Sequence, residues 1–65
     1  MIVSKIKRIM EEKGVTLKQI TDETGLAEIT LIRARGEQIL QCRLATLETI
    51  AHFLGCKTKD LYDED

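Results

Sequence analysis

The chain has no proline and no tryptophan, its only aromatic residues are Phe53 and Tyr62, and no apolar run approaches a membrane span. Each shortage excludes a class of protein. Few aromatics and no proline, set against abundant Leu, Ile, Lys, Glu and Thr, suit short helices better than sheets. A transmembrane helix needs roughly 18 consecutive apolar residues, and the opening MIVSKIKRIM is amphipathic rather than a signal peptide. The expected location is the cytoplasm, with no membrane partner. Cys42 and Cys56 are too few for the disulfide framework of a small secreted domain. With His52 as the only histidine, their separation also matches no zinc-ligand spacing, so two reduced thiols and no metal are expected.

At 65 residues the chain makes one domain, and a domain of that size buries only about 60% of the surface its unfolded form exposes. Such a core has no depth for an active site. His52 falls on the outer side of an amphipathic stretch, with no second titrating group near it in sequence, so neither an enzyme nor a cofactor is expected. The net charge of −1 hides an asymmetry. Residues 1–59 carry ten Lys and Arg against seven Asp and Glu, a balance of +3, while Asp60, Asp63, Glu64 and Asp65 carry −4. The body is thus mildly basic and the end acidic; the domain is expected over residues 1–62, with residues 63–65 an acidic tail that reads as a solvated, frayed chain end.

Apolar periodicity divides the body into helices. Ile2, Ile6, Ile9 and Met10 recur at helical spacing up to Gly14, which predicts a first helix over about 2–13. Thr16 and Gln19 have the spacing of a capping box, with Val15 and Ile20 placed as its hydrophobic staple, so a second helix runs from 17 to about Thr24 and stops at Gly25. Leu26 is expected to plug the core ahead of a third helix, about 28–35, that buries Leu31 and Ala34 and stops at Gly36. Residues 37–43 read as a loop with Ile39 and Leu40 tucked under the body. A fourth helix follows with the stripe Leu44, Leu47, Ile50, Ala51 and Leu54, closed by Gly55. A last helical turn over 57–62, capped by Thr58, returns Leu61 to the core. The expected class is all-α.

Two short helices joined by a glycine-containing turn, between an N-terminal and a C-terminal helix, form the arrangement of a helix-turn-helix domain. The stretch VTLKQITDETGLAEITLIRARG, followed by LATLETIAHFLGCKTKDLY, resembles the phage-repressor, or xenobiotic-response-element, family over essentially the entire chain. The resemblance is carried by Ile20, Gly25, Leu26 and Leu31, then by Thr46, Leu47, Ile50, Ala51, Leu54 and Gly55. It implies a five-helix, lambda-repressor-like DNA-binding domain with a central helix-turn-helix. It also implies a small Cro-like transcriptional regulator, a repressor by analogy, acting on double-stranded DNA as a homodimer. In a chain of this length, regulation is expected to come from expression level, degradation or a partner chain. Departures from the pattern are Leu17 where glutamine is common, Thr21 where alanine is usual, and Ala27 at a cap position usually held by serine or threonine. Gly36 arrives about one residue early.

Within that resemblance the third helix is the reading helix, and its base-contacting positions are Ala27, Glu28, Ile29, Ile32 and Arg33. Arg33 can donate twice to guanine and Glu28 can accept from cytosine N4, unless it only complements the positive helix end. Ile29 and Ile32 have three readings: a thymine-methyl contact, a patch for a protein partner, or partial burial by residues 37–43. The expected phosphate contacts are Thr16 and Lys18 at the start of the second helix, Arg35, and Gln38, Gln41 and Arg43 after the third. Phe53 and Tyr62 are candidates for a dimer contact, although Phe53 equally well completes the core. Two rivals remain at this level. One is an antitoxin-type regulator on the same fold, and the other is an interaction module that uses Ile29 and Ile32 on a protein partner.

Overall fold

Thr16 starts the second helix as the residue spacing predicts. Its hydroxyl accepts from the Gln19 backbone N–H at 3.2 Å, and the Gln19 side chain accepts from the Thr16 N–H at 2.8 Å. In the computed structural model, which describes residues 1–64, four α-helices follow one another: α1 (Ile6–Lys13), α2 (Leu17–Thr24), α3 (Glu28–Arg35) and α4 (Leu44–Leu54). Gly25 takes φ +76° after α2, a left-handed turn that a side chain would strain. The domain is mostly helical, and the fifth helix of the expected count is a 3-10 turn over Thr58–Leu61.

Three local expectations are corrected. The first helix begins at Ile6 rather than Ile2, because Ile2–Ser4 form a strand, β1, antiparallel to β2 (Tyr62–Glu64). Ile2 pairs with Glu64, Val3 with Asp63 and Ser4 with Tyr62. The end expected to fray is therefore held as far as Glu64, and Asp65 lies outside the described residues. Residues 37–43 are also more ordered in form than a loop, since Glu37–Gln41 wind into a 3-10 helix. The last turn is capped differently, with the Asp60 carboxylate accepting from the Lys57 N–H at 3.0 Å rather than Thr58 serving as cap.

One core joins every helix: Ile6 and Met10 of α1, Ile20 of α2, Leu31 and Ala34 of α3, Ile39, then Leu47, Ile50, Ala51 and Leu54 of α4, and Leu61. Ile9, Val15, Leu26 and Phe53 pack against its edge and are only partly buried, so Leu26 flanks the core rather than plugging it. Two leucines go the other way from expectation. Leu40 is 71% exposed while its neighbour Ile39 is buried, and Leu44 is 69% exposed at the first position of α4. Leu40 sits within the 3-10 helix beside Ile39, where three residues per turn point adjacent side chains about 120° apart, and Leu44 stands in the first turn of α4 ahead of the buried Leu47.

Two long-range hydrogen bonds lock the ends of the chain to the body. Ser4 Oγ donates to the Ala34 carbonyl at 2.6 Å, in the last turn of α3, and also accepts from the Ile6 N–H at 3.3 Å. The Lys5 N–H donates to the Leu61 carbonyl at 2.7 Å. The position of α3 is thus fixed from behind by its buried side and by the start of the chain. Its other side is free to face a ligand.

Candidate nucleic-acid interface

Because an α-helix advances about 100° per residue, Glu28, Ile32, Ile29 and Arg33 fall within one arc of α3, opposite Leu31 and Ala34. The exposures follow that geometry. Leu31 and Ala34 are fully buried, Thr30 and Arg35 are half-buried on the margins, and all four residues of the arc are exposed. Ile29 is 53% and Ile32 49% exposed, so each keeps about half of its surface open to solvent. Apolar groups therefore lie on both sides of α3, one set in the core and one toward solvent. An exposed pair of isoleucines in the middle of a charged arc is an apolar surface that gains by being covered.

The ends of α3 match its charges. Glu28 lies in the first turn, near the positive end of the helix dipole, and Arg33 and Arg35 lie in the last turn, near the negative end. Ala27 makes no side-chain cap, so the N–H groups of the first turn lack the acceptor that a serine would supply. Arg33 reaches toward the segment after α3. Burial pushes the Cys42 thiol above the usual thiol range, and the Arg33 guanidinium beside it partly offsets that rise.

The residues expected on phosphates lie outside this arc, in three places. At the start of α2, Lys18 is exposed, and the Thr16 hydroxyl, which accepts from Gln19, still has its own proton to donate. The N–H groups of Leu17 and Lys18 precede the first intrahelical bonds and point out of the helix end. After α3, Gln38, Gln41 and Arg43 are all exposed along the 3-10 segment and the cap of α4. Arg35 is placed apart from these, half-buried along a groove that it shares with Ile2, Ser4 and Glu37.

The departures from the family pattern are accommodated locally. Leu17 is half-buried against the core edge, and Thr21 turns its hydroxyl back to the Leu17 carbonyl at 2.9 Å, leaving no unpaired polar group between α2 and α3. Thr24 does the same to Ile20 and also accepts from the Leu26 N–H at 3.2 Å, which shapes the turn between the two helices. Of the two candidate dimer residues, Phe53 is half-buried against the core and Tyr62 is exposed in β2. His52 is exposed near the end of α4. Burial, with the nearby Asp60 adding to it, raises the Cys56 thiol, while Lys13 opposes the shift. Residue patterning alone overlooked Ser4, whose bond to Ala34 spans thirty positions and steadies α3 from behind.

Among the described residues no helix is long and apolar enough to cross a membrane, and no group of three or more His, Cys, Asp and Glu could hold a metal ion. No curated protein and no solved structure shows a significant match to the chain. The family model of the Cro/C1-type helix-turn-helix DNA-binding domain matches residues 5–63, which takes in all four α-helices. The chain belongs to that family.

Proposed function

We propose that this Cro/C1-type domain is a sequence-specific transcriptional regulator that lays α3 in the major groove of duplex DNA and represses by occupying its site. The exposed arc of Glu28, Ile29, Ile32 and Arg33 carries the reading, because four side chains able to address base edges share the one face of α3 that the core leaves open. Arg33 donates in bidentate fashion to a guanine, Glu28 accepts from a cytosine, and the two isoleucines pack on thymine methyl groups. Thr16 and Lys18 at the start of α2, with Gln38, Gln41 and Arg43 after α3, hold the phosphates that fix the register of α3. Asp60, Asp63, Glu64 and Asp65 account for the negative net charge while residues 1–59 balance at +3, so a net charge of −1 is compatible with contact to phosphates from the body of the domain.

The test is selection of bound duplexes from a random pool at about 50 mM salt, followed by sequencing of the survivors. A recovered motif containing a guanine next to A·T pairs supports the proposal. A protein that retains no duplex at low salt refutes it, and the solvent-facing isoleucines would then belong to a protein partner.

A further inference from the structure

The strand β1 pairs with β2 along one edge only, and the bond from the Lys5 N–H to the Leu61 carbonyl sets the phase of that pairing. Directly opposed residues of an antiparallel pair alternate between bonded and non-bonded positions. Counting back from Lys5, Val3 bonds to β2, while the N–H and C=O groups of Ile2 and Ser4 point the other way. Among the described residues no hydrogen bond reaches them. A groove of about 540 Å³ runs along this open edge, lined by Ile2, Val3 and Ser4 together with Arg35, Glu37 and Leu40, and by no residue of β2. Sites for small molecules span about 300–1,000 Å³ and are mostly apolar, with a few polar groups that fix orientation. Arg35 and Glu37 are the charged side chains of the groove, the first half-buried and the second exposed. Neither side chain makes an ion pair or hydrogen bond with any described residue, nor do they pair with each other. The DNA reading leaves Arg35 unused as well.

We propose that this groove binds a free α-amino acid with an apolar side chain. Its carboxylate pairs with the Arg35 guanidinium and accepts from an N–H of the β1 edge, while its ammonium pairs with the Glu37 carboxylate and donates to an edge C=O. Its side chain lies against Leu40 and the apolar lining of β1. The charges select this occupant over simpler ones. A fatty carboxylate would set its apolar chain beside the Glu37 carboxylate, and an aliphatic amine would leave the Arg35 guanidinium without an anion. An internal peptide segment carries neither charge on its backbone, so it could use the strand edge but not both ions. The hollow on the other side of Leu40, lined by Leu44, Leu47 and Tyr62, has no charged side chain and selects nothing. Ser4 and Arg35 also belong to the frame of α3: the Ser4 hydroxyl holds the Ala34 carbonyl, and Arg35 lies in the last turn of the helix. A bound amino acid therefore touches residues that position the reading helix, which makes it an effector of the regulator proposed above. That effector role rests on the DNA reading, and the binding itself does not.

The experiment titrates the isotopically labelled chain, free of DNA, with leucine, isoleucine, valine, methionine and phenylalanine in turn, and follows the backbone amide resonances. At least one should bind saturably, with shifts concentrated at residues 2–4 and 35–40. Three analogues of the best binder then dissect the head group on the wild-type chain: the acid lacking the amino group, the amine lacking the carboxylate, and the neutral N-acetyl amide. Each should bind about 10-fold or more weakly than the amino acid. In Arg35→Gln the preference for the amino acid over the amine should vanish, and in Glu37→Gln the preference over the acid should vanish. A general loss of fold would not produce that paired pattern. Saturable shifts with none of the five amino acids overturn the proposal. So does an N-acetyl amide that binds as tightly as the amino acid, or an Arg35→Gln chain that keeps the preference over the amine. Since no duplex is present, each of these failures leaves the DNA reading standing, and a failed selection from the random pool leaves the amino-acid site standing.

Discussion

Arg33 is the residue on which two independent readouts converge. Its guanidinium faces solvent at the end of the reading arc and also lies close enough to Cys42 to lower that thiol against the effect of burial. Removing the charge in Arg33→Ala should therefore raise the Cys42 pKa further and slow its alkylation at fixed pH, which timed labelling and mass spectrometry can follow in the Cys56→Ser background. The linkage sign is fixed by the direction of the shift. With the folded-state pKa raised, the protonated thiol's contribution to stability is fully present below the ordinary thiol pKa, and it is lost as pH rises through the higher folded value. On DNA the same substitution should cost about 1 to 3 kcal/mol and relax preference at one base pair, whereas Arg43→Ala should weaken all sequences alike and reduce the salt slope by about one. Ile29→Ala should abolish preference at an A·T pair without changing that slope. Binding isotherms on matched and mismatched duplexes at several salt concentrations distinguish these outcomes.

Helices are where local sequence rules and tertiary demands can be weighed against each other. The capping box of α2 obeys the local rule, and Thr16→Ala should cost about 1 kcal/mol in urea unfolding. Helix α3 lacks such a cap because Ala27 stands there, and Ala27→Ser should add up to about 1 kcal/mol. If Ala27→Ser left the urea midpoint unchanged, the start of α3 would be held by something other than its own cap. The same contrast shows why some elements were legible and others were not. The bounds of α2, α3 and α4 follow from Thr16, from Gly25, Gly36 and Gly55, and from an uninterrupted stripe of apolar residues. The β1–β2 pair was hidden because Ile2 also fits the period of α1, and three residues cannot show alternation apart from a partner sixty positions away. The side of α3 that faces outward was legible once Leu31 and Ala34 were assigned to the core, since 100° per residue fixes the rest. The exposure of Leu40 and Leu44 was not, because it depends on how the turn around Cys42 is folded onto the body.

At the scale of the molecule, the decisive property is that one thin core must hold four helices, two 3-10 segments and a strand pair in register with each other. Leu47 tests this. It lies on the inner side of α4, is 7% exposed, belongs to the central cluster, and also lines the groove beside Leu40. Truncation to alanine removes apolar contact and leaves a space that a small domain can close only by moving α4 against α1 and α2. The expected cost is about 2 to 5 kcal/mol, against a total of about 5 kcal/mol for domains at the small end of the range. Leu47→Ala should therefore be largely unfolded near body temperature, and a loss under about 1 kcal/mol in equilibrium denaturation would mean that α4 is not the wall of the core described here. Since α3 is held from behind by that core and by Ser4, the same variant under stabilising conditions should also lose DNA affinity. It should do so on every sequence to the same degree, because what fails is the frame of the reading surface rather than any one contact on it.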